Sequence, residues 1–548
     1  MLSKHVLNCR HLGRKSILKY TQAKCHLKDM KCAFSQSKTL TNTGNSAETF
    51  PDVTSTNTSD GTSELQRAFE DRAHKNKLPF NEKPFVKNLF SGVLSKEVFT
   101  FPQIGHKEDL EVLDRLIKPV EDLFKESVHS GAIDRDAEIP EKIITQLKEL
   151  GLFGLEVPRE YGGLDLSVTE SAQFAEVTGA DCSISMTLAA HHGLGLKSIL
   201  LSGNEEQKAK YLPKLATGES IAAFCLSEPD CGSDISSIET TARLTEEGSS
   251  KVVLNGTKNW VVNGGIADVF IVIAKGKFKN EQNNTFEKLV ALIVEKDFGG
   301  VTVSEPHDTL GTRGCNTCTV HFDNTPVPVE NSLGELGEGQ EFALRILECG
   351  RVGVGAAAVS LLKNLLASVV QAAISRTRFG KKLCEFDLIK ERVAKITETI
   401  YAMESITYHT AGLMDTYEEP DTGLEAAILK IFSSEGVFTC VDECLHILGA
   451  EGYLRDQPYE QYLRDARMMA GFPGTNDVTR LFIALRGIQH ASKDLQGFFK
   501  TLKDPFNSLT QFIKKAKPDF KTLKVEEVVL PIFKGTIKLA WSLYLTMC

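Results

Sequence analysis

The apolar residues of this chain change period twice, and that change limits the possible folds more than any single motif. From about Leu89 to Gly218 they recur at helical spacing, as in Leu110, Leu113, Leu116 and Ile117, and again in Ile143, Ile144, Leu147 and Leu150. Near Ser220 the pattern becomes short β-branched or aromatic runs at 220–226, 251–262, 268–275, 288–295 and 317–329, bounded by Gly, Asn and Asp. After Gly337 helical stripes return. One runs through Leu361, Leu362, Leu365, Leu366, Val369, Val370, Ala373 and Ile374; another through Ile389, Val393, Ile396, Ile400 and Met403; a third through Val478, Leu481, Phe482, Leu485 and Ile488. No βαβ alternation is present, which disfavours a doubly wound nucleotide fold. The expected architecture is α+β: a helical domain over 81–218, an antiparallel β domain over 219–335 and a helical bundle over 336–495.

The ends of the chain read differently. Residues 1–34 hold eight Lys or Arg and one acid, Asp29, interleaved with Leu2, Val6, Leu7, Ile17 and Leu18. A basic, amphipathic start without a continuous apolar core is the pattern of a mitochondrial presequence. Its removal would take the formal charge from -9 to -16. Residues 35–80 open on Ser, Thr and Asn with few apolar groups, a linker composition. Residues 496–548 form a C-terminal extension, apolar over 528–547 but interrupted by Lys534 and Lys538, so an amphipathic or packed helix is expected there, one that could meet the inner-membrane surface. Acidity argues against a nucleic-acid partner. Two Trp, 18 Pro and the lack of an uncharged apolar run near ~20 residues exclude a multi-span membrane protein. Thirteen scattered Cys fit a reducing compartment.

No Walker loop, HExxH or GxSxG occurs. Cys315 and Cys318 have CxxC spacing but lack the further ligands zinc needs. Cys440 and Cys444 share a helix face as small core residues, and His191–His192 has no acidic or Cys partner nearby, so no metal site is expected. Three other segments carry chemistry. Phe224–Asp234 (FCLSEPDCGSD) leaves a strand for a polar Gly/Ser turn whose N–H and hydroxyl groups can hold a polar cofactor. Trp260–Gly265 (WVVNGG) ends a strand with a flat aromatic and a tight turn. Phe472–Asp477 (FPGTND) precedes a helix with Thr475 or Asn476 as N-cap, and a helix N-terminus offers free N–H groups to an anion such as a pyrophosphate.

In this order, and with Leu152–Gly163 (LFGLEVPREYGG), Glu206–Pro213 (EQKAKYLP) and Arg376–Gly380 (RTRFG), these segments resemble the acyl-CoA dehydrogenase family from about Leu89 to Ile488. The likeness is nearest to the very-long-chain branch. Within that branch, Val98–Pro102 and Asn316–Phe322 favour the subfamily of family member nine, the mitochondrial complex I assembly factors. The resemblance implies a central β-barrel or sandwich, a C-terminal four-helix bundle, bound FAD, and α,β-dehydrogenation of long-chain acyl-CoA in fatty acid β-oxidation. Electrons would pass to electron-transfer flavoprotein. It places Phe224, Leu226, Ser227, Gly232, Ser233, Trp260 and Val262 on the flavin. Thr475 and Asn476 would hold the same FAD. Arg376, Arg378, Phe379, His446, Gly449 and Ala450 would reach the FAD of a neighbouring subunit in a homodimer. Ser233, Glu348, Arg351 and Gly474 fall at substrate positions.

The chain departs from that family where the chemistry is done. Pro473 stands where this branch has its catalytic Glu, and proline has no group that can accept a proton. The alternative base position, just before the helix arginine, is Gly350. Glu348 is two residues from Gly350, roughly 200° around a helix, and should face elsewhere. Val262 replaces a hydroxyl residue beside flavin N5. His446 and Ala450 stand for Gln and Gly, and Thr309 and Cys315 for Lys and Ser. The branch's C-terminal extension needs over a hundred residues after Ile488, and 60 follow here. Two functions are therefore expected: a slow FAD-dependent dehydrogenase, or a catalytically silent scaffold for complex I assembly. An acyl-CoA oxidase, which needs the same base, is a weaker third.

Overall fold

The computed structural model describes residues 78–80, 84–94, 107–244, 250–279, 285–335 and 337–502. The presequence, most of the linker, the Val98–Pro102 segment and the extension beyond Leu502 lie outside the described residues.

A short strand β1 (Leu78–Phe80) and helix α1 (Phe85–Phe90) precede a helical region of α2 (Lys107–Glu126), α3 (Ser130–Asp136), α4 (Glu141–Glu149), α5 (Val168–Thr178), α6 (Cys182–Ala189), α7 (Lys197–Ser202) and α8 (Glu205–Thr217). Local chemistry sets the starts of these helices. Ser167 and Glu170 form a reciprocal capping box on α5, Asn204 and Gln207 do the same on α8, and the Asp181 carboxylate caps α6. The expected apolar stripes meet in one core that includes Leu113, Ile143, Ile144, Leu147, Leu152 and Phe153. Between α6 and α7 a π-helical turn, Ala190–Leu196, carries both histidines inward.

The strands follow: β2 (Ala222–Cys225), β3 (Thr241–Leu244), β4 (Lys251–Val262), β5 (Val269–Lys279), β6 (Thr285–Glu295), β7 (Val301–Val303), β8 (Thr317–Pro328) and β9 (Ser332–Leu333). They pair in the order β7-β8-β4-β3-β5-β6-β9, with β2 also on β5. The expectation of antiparallel pairing throughout needs correction, because β2 and β3 both run parallel to β5. Each is joined to β5 through intervening chain rather than a hairpin, so a parallel neighbour is topologically free. β3, β7 and β9 are too short to show a period in sequence.

Helices then return as α9 (Gly339–Cys349) and α10 (Arg351–Ser375). A small hairpin, β10 (Thr377–Arg378) with β11 (Lys381–Lys382), leads to α11 (Asp387–Thr416). The strand β12 (Tyr417–Glu419), which pairs with β1, precedes α12 (Gly423–Leu448), α13 (Glu460–Met469) and α14 (Asn476–Leu502). Leu361, Leu362, Leu365 and Val369 of α10 pack with Ile396, Ile400 and Met403 of α11 and with Val437, Cys440, Val441 and Cys444 of α12. One sequence expectation, the stripe of α14, is corrected in this bundle. Residues 339–375 are long and apolar enough to cross a membrane by composition, but most of that stretch is buried between the other helices, which accounts for its hydropathy. The stripe of α14 is not core: Val478, Leu481, Leu485 and Ile488 are exposed, the last two at 60% each. The inward side of α14 is instead Asn476, Thr479, Gly487 and Ala491, with Gly487 against the Phe90 ring of α1.

Candidate active site

A β-bulge does the first part of the positioning. The register of β4 on β8 slips between Lys258 and Val261, and Trp260 sits in the slip with φ of 55°. Bulges re-aim side chains, and here the indole is turned outward to 56% exposure. The Asn259 N–H donates to the Ser227 carbonyl at 2.9 Å, so the end of β2 and the bulge lie side by side. Phe224, Leu226 and Ser227 are half-buried along that strip, Gly232 and Ser233 are exposed, and space is open around Gly232. Val262 closes β4 opposite Thr317.

Beneath this strip lies an ion pair that sequence reasoning missed. Lys258 is fully buried, and its Nζ donates to Glu228 Oε1 at 2.7 Å and to the Leu226 carbonyl at 3.0 Å. Glu228 also accepts the N–H groups of Glu239 and Thr240. Burial pulls the Lys258 ammonium below its ordinary range, while Lys258 holds Glu228 low against its own burial. The available signal was the strand's own period: Leu254, Gly256 and Lys258 alternate on one face, so the lysine occupies an inward register.

A second buried lysine braces the loop between α13 and α14. Lys430 donates to the carbonyls of Ala470 (3.1 Å) and Gly474 (2.5 Å) and to Asn476 Oδ1 (2.6 Å). Burial, with the nearby Arg351 charge, lowers its pKa to about 8. Asn476 also exchanges hydrogen bonds with Ser434 and donates to Glu435. The Asn476 side chain is thus engaged inside the protein, where a buried amide needs partners. Thr475 remains exposed as the N-cap of α14. Gly474 is in the left-handed region at φ 78°, a turn that favours glycine.

Pro473, on this braced loop, is buried and lines a cavity of about 40 Å³. Gly350 and Gly353 form another wall, with Met186, Leu194, Val354 and Phe472 among the rest. No residue lining it carries a carboxylate. Glu348 is elsewhere: a side-chain carbon on Gly423 would meet its carboxylate at 3.0 Å, which sets it against the first turn of α12, where burial raises its pKa. Arg351, 6% exposed, stacks 5.7 Å from the Phe482 ring, and its Nε and Nη1 have no hydrogen-bond partner.

The remaining predicted residues gather at one end of the bundle. Arg376 donates to the Leu448 carbonyl at 2.8 Å and pairs with Glu451 of its own chain. Those contacts set it beside Gly449 and Ala450 at the exit of α12. Arg378 is exposed, Phe379 is 95% exposed at the hairpin tip, and His446 is exposed with Nδ1 2.8 Å from the Asp442 carbonyl. His191 is buried between the carbonyls of Phe153 and Leu215 and the N–H of Ala222. Among the described residues no group of three ligands could hold a metal.

An outward indole beside a strip of backbone, with a long helix N-terminus capped by an exposed threonine, suits a planar heteroaromatic ring carrying an anionic tail. Comparisons with known proteins agree. Profiles of the acyl-CoA dehydrogenase N-terminal, middle and C-terminal domains match residues 111–219, 223–325 and 337–488. The human mitochondrial very long-chain specific acyl-CoA dehydrogenase is 42% identical over 430 residues, 78% of this chain and 65% of that protein. A Bacillus subtilis acyl-CoA dehydrogenase is 34% identical over 370 residues, 67% of this chain and 95% of its own. Among solved structures, an acyl-CoA dehydrogenase of Bacillus anthracis complexed with FAD matches with a TM-score of 0.64 at 34% identity, over 77% of this chain and 73% of that one. The chain spans about two thirds of the length of the mammalian relatives it matches.

Proposed function

Because the chain belongs to the acyl-CoA dehydrogenase family, whose cofactor is FAD, we propose that it binds long-chain acyl-CoA in the cavity beside Pro473 and dehydrogenates it slowly, for want of a base. The carrying observation is that lining: the two positions at which the family resemblance expects a carboxylate are Pro473 and Gly350, and both face the cavity. Mitochondrial residence and electron-transfer flavoprotein as acceptor belong to the same reading, supported by the basic N-terminus and the mitochondrial relatives.

Bound FAD would supply a two-electron acceptor over the strip formed by Leu226, Ser227 and Trp260. The chain's own groups do the rest. Met186, Leu194, Val354 and Phe472 exclude water from an acyl chain, and the Lys430 ammonium fixes the loop that closes over it. The unpaired Nε and Nη1 of Arg351 are free to take an acceptor. No side chain lining the cavity can take the α-proton, so in the slow reaction it must pass to a water molecule, a far weaker base than a carboxylate. Glu156, the one carboxylate lining the adjoining cavity, is tied to Lys197, whose charge holds its pKa low despite burial and makes it a weak base. Loss of a positioned general base costs ~10²–10⁴ in rate.

The same lining suits a second reading, a folded scaffold that retains FAD without turnover, for which the resemblance of Val98–Pro102 and Asn316–Phe322 suggests complex I assembly. Anaerobic mixing of the FAD-loaded protein with palmitoyl-CoA separates the two. Bleaching of the visible flavin band over minutes or longer is expected of the slow enzyme. No bleaching at saturating ligand supports the scaffold, and bleaching within milliseconds contradicts both.

A further inference from the structure

Helices α9 and α10 meet at Gly350 with helical backbone, φ -68° and ψ -14°, so the residues after it lie inside a nearly continuous helix. Two glycines follow, Gly353 and Gly355, although only proline is a poorer helix former than glycine. Where a helix carries glycine in spite of that, packing or function is the ordinary reason. Gly355 has the packing reason: a Cβ on it would come 2.5 Å from Thr407 Oγ1 and 2.7 Å from Leu429 Cδ1. Gly350 is confined as well, with Leu194 Cδ2 3.3 Å from such a carbon. Gly353 has no such neighbour. A Cβ there would meet nothing within 4 Å, so the space beside this helix position is open.

Gly350, Gly353, Val354 and Ala357, at helical spacing, are the face that α10 gives to the cavity beside Pro473. On the acyl-CoA reading the reacting carbons lie at the end of this wall marked by Gly350 and Pro473, the two positions where the family resemblance expects the base. Gly353 stands one turn on, about 4.5 Å along the helix axis, the length of a few chain carbons. It also borders a neighbouring cavity of about 100 Å³. Resting on the acyl-CoA reading above, we propose that Gly353 is a specificity-determining residue: its missing side chain makes the room that acyl carbons beyond the first few occupy, and so sets a preference for long chains.

The test is equilibrium binding of butyryl-CoA and palmitoyl-CoA to the FAD-loaded protein by titration calorimetry, with the thermal midpoint of each variant alongside. The native chain should bind palmitoyl-CoA the tighter. Gly353→Leu, whose side chain fills the space, should weaken palmitoyl-CoA about tenfold or more and leave butyryl-CoA within about threefold. It should not lower the thermal midpoint, since leucine is the better helix former. Gly353→Ala adds one carbon and should cost about threefold for palmitoyl-CoA alone; it decides the matter should the leucine variant not fold. Unchanged palmitoyl-CoA affinity in Gly353→Leu would give the space to the neighbouring cavity and overturn this inference, and equal weakening of both thioesters would overturn it too. Either result leaves the acyl-CoA reading standing. A native chain that binds neither thioester sinks both.

Discussion

Lys258 and Lys430 show how much of this site depends on charges hidden below it. Each is an ammonium buried among carbonyls under a segment the family resemblance assigns to ligand, Lys258 under the Leu226–Ser233 turn and Lys430 under Ala470–Asn476. Neither was legible by residue type, since their partners lie 30 to 46 residues away along the chain. Both were legible by position. Lys258 takes an inward register of β4, and Lys430 continues the stripe Ser434, Val437, Val441 and Cys444 along the core face of α12. Breaking a buried pair leaves the other charge uncompensated. Lys258→Met should therefore lower unfolding free energy by about 3 kcal/mol, the low end of that range because Glu228 keeps two backbone donors. Urea denaturation measures it, and a loss under about 1 kcal/mol would mean the pair holds little. Pro473 was legible differently: as a residue it is unremarkable, and only the resemblance gives its missing carboxylate meaning.

At the scale of elements, period carried most of the information. The long strands and the α10 and α11 stripes lie where alternation and 3.6-residue spacing put them, because burial on one face enforces the pattern. What escaped was set by contacts rather than pattern: the three short strands, the parallel pairing to β5, and the π-helical turn that buries His191 and half-buries His192. That turn has a pH consequence. Burial lowers the two histidines to about 3 and about 4, whereas the unfolded chain binds protons near 6.5. Below 6.5 the unfolded state holds more protons, so stability is fully present above that pH and is lost as pH falls through 4 and 3. Urea midpoints should drop between pH 6.5 and 4, and His192→Gln should flatten that slope. An unchanged slope in the variant would assign the acid sensitivity elsewhere.

The molecule as a whole presents apolar surface that a lone chain has no use for. Val478, Leu481, Leu485 and Ile488 form one exposed stripe of α14, and Phe379 stands 95% exposed at its hairpin tip. Exposed stripes of this kind mark association surfaces, and the homodimer expected from the family resemblance predicts that Leu481→Asp combined with Leu485→Asp shifts sedimentation toward monomer at micromolar concentration. A wild-type chain already monomeric there would remove the stripe from the account. The central claim concerns a proton. It is tested most directly by α-carbon hydrogen exchange, with palmitoyl-CoA bound to the FAD-loaded protein in deuterium oxide and the label read by mass spectrometry. The native chain should incorporate no deuterium beyond the free thioester, and Pro473→Glu should incorporate it at a rate higher by ~10²-fold or more. Exchange in the native chain as fast as in the variant would mean that an acceptor is present after all, and the account would fail.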